Sequence, residues 1–192
     1  SKLARSMRHT RENVFANILN NGFTSATGGD GVALLATNHP TVDGTQSNEL
    51  AVAADLSEAS LEDMLTNIRL FKDSRGLRIQ AKGQMLVVPP QLEFEATRIR
   101  NSTLQSGTAN NDINAMKSLG MLPKGVVVWD YLTDPDAFFV KTDCDTGLIR
   151  QERWGLSLEQ DNDFDTSNAC MKATERYAAG WADWRGAYFA DN

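Results

Sequence analysis

The chain of 192 residues is 41% apolar and 23% charged, the balance of a globular protein and not of a disordered one, and it is long enough for one large domain or two small ones. Its net charge of −6 and pI of about 4.9 argue against tight, salt-dependent gripping of nucleic acid, which needs clustered Lys and Arg. No apolar run approaches the roughly 20 residues that cross a bilayer, and two cysteines, Cys144 and Cys170, are too few for a disulfide framework and read as free thiols in a reducing cell.

The start, SKLARSMRHTREN, carries charge but no apolar segment of the kind a signal peptide needs. It also lacks an initiator Met, which fits a chain that begins downstream in a longer gene product. Residues 1–20 predict a helix. Leu3, Met7, Val14 and Ile18 fall on one stripe with Phe15 and Leu19 beside it, Arg5, Arg8 and Arg11 decorate the other side, and Asn20, Asn21 and Gly22 supply a stop. The basic run RSMRHTR reads as a solvated helix face, since no aromatic residues interleave with it to stack on bases.

Residues 22–56 fit a compact monomer poorly. Only Val32–Leu35 is convincingly apolar, and so long a loop signals function or a partner surface. The glycines of Thr27–Gly31 lack the Lys-Ser/Thr and the preceding strand of a phosphate cradle, so a flexible turn is expected. His39, before Pro40, has no second ligand at useful spacing and reads as a hydrogen-bonded loop residue.

A helix follows over 57–76, capped by Ser57 or Ser60, with Glu58, Glu62 and Asp63 toward its positive end and Leu61, Met64, Leu65, Ile68 and Phe71 at helical spacing. Leu77, Ile79 and Ala81 alternate with Arg78 and Gln80 as a half-buried strand. Met85–Val88 is an unbroken apolar run suited to a buried strand. Pro89 stops it, Pro90 suits a first helical turn, and Leu92, Ala96 and Ile99 then repeat at i, i+4, i+7. Buried strand, rigid corner and amphipathic helix make a core unit.

Residues 102–122 are polar and weakly patterned, a second stretch expected to need a neighbour. Gly125–Trp129 predicts a buried strand, Ala137–Lys141 another, Asp143–Gly147 a turn, and 148–158 a further strand. Asp161, Asp163 and Asp165 occupy the first three ligand positions of a calcium loop. Thr166 stands where Gly is required and Lys172 where Glu is required, so the run reads as a solvated acidic turn. Ala169–Phe189 reads as one long strand-like tract, with Trp181, Asp183 and Arg185 facing one way and Trp184 the other.

The usual catalytic signatures are missing. There is no G-x-S-x-G, no H-E-x-x-H, no paired C-x-x-C and no strand-linked G-x-G-x-x-G. With only His9 and His39, histidine-based catalysis has few places to be built. The 25 acidic residues leave a carboxylate-dependent hydrolase as an alternative of a different class. No catalytic, cofactor-binding or metal-binding residue is expected.

Five segments in order carry a resemblance: RHTRENVFANILNNGF, LLATNHPT, LSEASLEDMLTNIRLFKDSRGLRI, LVVPPQLEFEATRIRNS and ERYAAGWADWRGAYF. The chain resembles the major capsid proteins of tailed bacteriophages, on the branch of Mu-like major head subunits, whose fold is shared with encapsulins and herpesvirus shell floors. The resemblance implies an α+β, two-lobed tailed-phage major capsid fold. Residues 1–21 would be the long spine helix of a peripheral lobe, 22–146 a mixed α/β axial lobe, 147–178 the peripheral lobe's long strands, and 179–192 a return to the axial lobe. The segment 102–122 would be an axial contact. An N-terminal arm and an extended hairpin loop, expected of the family, are absent from the given chain, and no Lys can be assigned to an isopeptide cross-link.

The implied function is structural and not enzymatic. Hexamers and pentamers would close an icosahedral head around phage DNA, which an acidic subunit would hold only weakly. Portal, scaffold and decoration proteins would be further partners, no membrane would be involved, and the virion, assembled in the bacterial cytoplasm, would be the location. An encapsulin-like compartment is the near alternative. Both long irregular segments would become ordered only against neighbours.

Overall fold

The computed structural model describes residues 2–24, 28–105, 112–162, 165 and 168–190. In chain order the elements are α1 (Lys2–Asn20), β1 (His39–Thr41), β2 (Gly44–Gln46), α2 (Glu58–Arg69), β3 (Gly83–Val88), α3 (Glu93–Asn101), α4 (Ala115–Ser118), β4 (Val126–Val128), β5 (Phe138–Thr142), β6 (Leu148–Asn162), β7 (Ala169–Trp181) and β8 (Ala187–Ala190). Short 3-10 turns at Pro90–Leu92 and Trp184–Gly186 precede α3 and β8.

The core is a four-stranded sheet in the order β4-β3-β5-β8. β3 and β4 run parallel, and the other pairs are antiparallel. Leu86, Val88, Phe138, Val140 and Tyr188 are fully buried in it, and Leu61, Met64, Leu65 and Ile68 of α2 belong to the same apolar cluster. Ser57 opens α2 with a capping box: its hydroxyl accepts from the Ser60 N–H while the Ser60 hydroxyl accepts from the Ser57 N–H. The corner after β3 follows the prolines as expected. Pro90 begins the 3-10 turn, α3 continues from it, and Ala96 is buried with Leu92 and Ile99 beside the core.

Several expectations are corrected. α2 stops at Arg69, not 76. Phe71 turns into the core, and the Asp73 carboxylate accepts from the N–H groups of Arg75 and Leu77, which makes a turn of the next residues. No strand forms over 77–81. Gln80 has a φ of 55°, which breaks an extended run, and Leu77 is exposed. β4 is the edge of the sheet and only partly covered. The tract 169–189 is not continuous: β7 ends at Trp181, and the Asp183 carboxylate caps the turn that redirects the chain into β8.

The segment after α1 is also corrected. Residues 28–56 do not wait for a neighbour; they pack on the chain's own body. Leu34, Leu35 and Leu56 join the core, and beside the short β1–β2 hairpin a polar knot does the work of regular secondary structure. Asn48, fully buried, donates from Nδ2 to the carbonyls of Leu34 at 2.7 Å, Trp184 at 3.1 Å and Ala187 at 3.1 Å. Those three carbonyls fix the amide's orientation, so its Oδ1 accepts from the Ala36 N–H at 3.0 Å and faces His39 Nε2 at 3.2 Å. His39 Nδ1 meets the Asp30 carboxylate at 2.8 Å, and the ring lies flat on Trp184 at 4.3 Å. Both ring nitrogens are thus engaged by side-chain oxygens. The flanks of the second irregular segment are anchored too. Leu104 bridges to Ile113, Asn114 caps α4 and donates to the Ile99 carbonyl, and Met116 and Leu122 are buried.

Burial pushes the Asp30 carboxyl up, but the bonds from His39 and from the Val32 N–H outweigh it and hold the carboxyl below its ordinary range. A depressed carboxylate contributes stability above its unfolded value of about 3.9 and loses it as pH falls through the folded value. Amide exchange at Val32 and Ala36 should therefore accelerate in acid, below about pH 4. Asp30→Asn should remove that acid limb; an unchanged limb in the variant would contradict the assignment. Asn48→Ala, which removes a buried amide's bonds to three carbonyls and to the Ala36 N–H, should cost about 3 kcal/mol in urea unfolding, whereas Val42→Ala, on an exposed turn, should stay within about 0.5 kcal/mol.

Candidate assembly surface

β6 and β7 form a two-stranded ribbon separate from the core sheet. Its root is fixed by a close backbone crossing. A side chain on Gly147 would lie 2.4 Å from the Gly186 Cα, and one on Gly186 would lie 2.3 Å from the Gly147 Cα, so only glycine fits at either position. The Ala182 and Asp183 N–H groups donate to the carbonyls of Gly147 and Thr146 nearby.

α1 lies along one face of the ribbon. Residues Ala173, Glu175, Tyr177 and Ala179 are half-covered, while Thr174, Arg176 and Ala178 alternate outward. Arg11 Nη1 meets Glu175 Oε1 at 3.2 Å, where the Glu175 side chain is only 2% exposed. Phe15 packs edge-on to Tyr177, with the Arg150 guanidinium 5.6 Å over its ring. Two expectations for the helix change as a result. Arg11 faces the ribbon and not solvent, and Val14 is exposed. The buried Glu175 requires a cation, and the helix is rotated to supply it.

Cover on the ribbon is incomplete. At about 1.5 Å per residue the 19 residues of α1 span about 28 Å, whereas at about 3.3 Å per residue the 15 residues of β6 span about 50 Å. A register shift between Glu152 and Trp154 sets Trp154 opposite Arg176, on the face turned away from α1. Trp154 is 64% exposed, and Leu156, Leu158 and Met171 are exposed toward the tip. An isolated two-stranded ribbon is marginal in water, and apolar groups displayed together along one element mark a binding surface. Nothing in the sequence pattern located the shift; the alternation over 148–158 gave the strand without it.

The other singled-out residues fall elsewhere and do not converge. Gly28 packs under the Trp181 ring and Gly31 takes a φ of 78°, a turn and not a cradle. His39 is structural, as described. Burial pushes the half-buried Cys144 thiol up, away from reactivity, and Cys170 is exposed on β7. Asp161 lies within β6 opposite Cys170, and Asp163 lies outside the described residues. Among the described residues no three His, Cys, Asp or Glu side chains gather as metal ligands. A hollow of roughly 670 Å3 opens between α2 and α3, with Glu58, Glu95, Arg98 and Asn114 on its wall. Burial and the nearby Glu62 push Glu58 up, but among the described residues no histidine or cysteine lines the hollow.

Arg11→Ala should strand the Glu175 carboxylate under the helix and lower stability by about 2 kcal/mol, discounted for partial exposure. Adding Glu175→Gln should recover part of the loss. Urea unfolding of the two variants checks this, and equal losses in both would show that the pair is not what holds the helix.

A family model described as phage capsid protein matches residues 1–190. Three solved structures share the fold at low identity. One is a virus-like particle from Pyrococcus furiosus, at 9% identity over 96% of this chain and 63% of that chain, with a TM-score of 0.53. Another is from Mycobacterium phage Che8, at 15% identity over 97% of this chain and 60% of that one, with a TM-score of 0.54. The third is the capsid of an empty GTA particle, at 14% identity over 98% and 63%, with a TM-score of 0.53. The chain therefore spans about three fifths of the length of these solved chains. No curated protein matches it. Matched by one family model over nearly its whole length, and folded like chains of a capsid and a virus-like particle, the chain belongs to the phage capsid protein family and is a structural capsid protein.

Proposed function

We propose that the chain is the major subunit of an icosahedral head and assembles as hexamers and pentamers around packaged double-stranded DNA. The observation that carries this reading is the ribbon: a long two-stranded element with Trp154 bare on one face and a helix over little more than half of the other. A neighbouring copy completes it. Interfaces of about 1,200–2,000 Å2, repeated around each subunit, make stability a property of the assembly.

In this reading 1–21 and 147–178 form the peripheral lobe, spine helix against long strands, and 22–146 with 179–192 form the axial lobe. The packing of α1 on β7 and the separate core sheet support that division. The segment 102–122 serves as an axial contact; exposed Leu104, Ile113 and Leu119 support it. Affiliation with the Mu-like branch rests on the motif series. The subunit does no catalysis, assembles in the host cytoplasm and resides in the virion, with portal, scaffold and decoration proteins as further partners. A protein-filled compartment is the second reading, favoured by the likeness to a virus-like particle.

Electron microscopy of purified protein tests the proposal. Closed particles of icosahedral symmetry are expected, and persistent monomers in the full-length product would refute it. Nucleic acid inside the particles supports the head and protein cargo the compartment. Trp154→Glu should leave the circular dichroism spectrum unchanged yet abolish closed particles; Leu77→Glu, exposed but away from the ribbon, should assemble normally.

A further inference from the structure

We propose that the solvent face of the first half of α1, built from Lys2, Arg5 and Arg8, is where the subunit meets the phosphate backbone of duplex DNA; the proposal rests on reading the chain as a shell subunit. The observation is a segregation of charge. α1 holds four basic residues and one acid, a net +3, in a chain whose total is −6, so the residues outside α1 carry −9. Within the helix Arg11 is neutralised by Glu175, and Trp129 Nε1 donates to Glu12 Oε2 at 3.2 Å. Lys2, Arg5 and Arg8 are exposed, and none has an ion-pair partner among the described residues.

A helix face meant only for solvent sets acids three or four residues from its cations, since opposite charges at that spacing attract and like charges repel. Here no acid stands within four residues of Lys2 or Arg5, and the one acid at that spacing from Arg8, Glu12, has its carboxylate engaged by the Trp129 indole. Lys2, Arg5 and Arg8 follow each other in three-residue steps, and the first turn holds no acid. The arrangement works against the helix and favours an external polyanion. The neighbouring exposed side chains are Ser6, His9 and Asn13, with Asn13 Nδ2 3.1 Å from His9 Nδ1 and the Tyr131 ring edge-on to His9. No exposed aliphatic side chain stands among the three cations. A protein partner is anchored by buried aromatic or aliphatic groups; phosphate contacts need none. That difference favours DNA over an acidic protein.

Six rises of about 1.5 Å put Lys2 and Arg8 about 9 Å apart along the axis. Over such a stretch duplex DNA presents about five charges, so one copy meets about two or three phosphates. A single contact is weak, in keeping with the acidic chain, and many copies on one DNA add up.

The test uses the full chain and fluorescence anisotropy with a labelled duplex of about 30 base pairs over a salt series from about 50 mM. The variant K2Q/R5Q/R8Q should bind at least tenfold more weakly, with the slope of log K against log salt smaller by about two to three. The control R75Q/R78Q/K82Q, three exposed cations elsewhere, should change binding less than twofold. Arg5→Gln or Arg8→Gln alone should cost about threefold if the triple variant loses its helix, and K2R/R5K/R8K should bind as the parent does. Equal losses in both triple variants would overturn the proposal. So would a loss confined to polyglutamate, which would assign the face to an acidic protein. Electron microscopy separates the two readings. Particles that never form count against the shell, while normal particles with undiminished DNA binding in K2Q/R5Q/R8Q count against this contact alone.

Discussion

A ribbon of two strands cannot bury both its faces, and the rest of this structure is arranged around that deficit. The inward-facing peptide groups of β6 and β7 pair with each other, so the element holds its shape. Its side chains are another matter. One helix supplies cover on one side, through Arg11, Phe15 and the ring of Tyr177, and that helix is too short to reach the tip. The shift that turns Trp154 outward removes the largest apolar group from the covered face. A monomer would gain by keeping that indole under α1. Its outward position makes sense when the missing cover comes from another molecule.

The core sheet has no such deficit. Leu86, Val88, Phe138, Val140 and Tyr188 close on one another and on α2, and the irregular segment over 28–56 closes with them. The device is polar. A long connection through a protein interior must pair its peptide groups, and here the side chains of Asn48 and His39 do for the loop what a ladder does for a strand. Stacking of His39 on one side of Trp184 and of the Arg185 guanidinium, also 4.3 Å from that indole's centroid, ties the loop to the turn before β8.

These two facts explain what was legible from the amino-acid order. Patterns local to a few residues read correctly: the Met85–Val88 strand, the Pro89–Pro90 corner, the Ser57 cap and the strand at Phe138. Patterns set by distant partners did not. Asn48 looks like any loop asparagine until Leu34, Trp184 and Ala187 surround it, so the first long segment seemed to want a neighbour when it wanted its own body. Arg11 reads as a surface cation because Glu175 lies 164 residues away. The closing tract alternates like a strand, but Asp183 caps a turn within it. The register shift at Trp154 leaves no mark on composition at all. The motif series carried the family because it depends on local units in order, the part of the fold that sequence records best.

The division between a closed core and an unfinished ribbon also bears on how such a subunit can assemble without aggregating. A chain that exposed its sheet core before meeting partners would offer strand edges to any neighbour. Here the core sheet is covered, and the exposed apolar groups sit on a ribbon whose two strands pair only with each other, so it offers a neighbour a face of side chains together with two outer strand edges. Each contact can then be modest. Closure multiplies it, because a subunit held by one neighbour meets the next at a high effective concentration. On the proposed reading, stability shifts from the single chain to the shell, where the indole that burdens the monomer would be covered by a neighbouring copy.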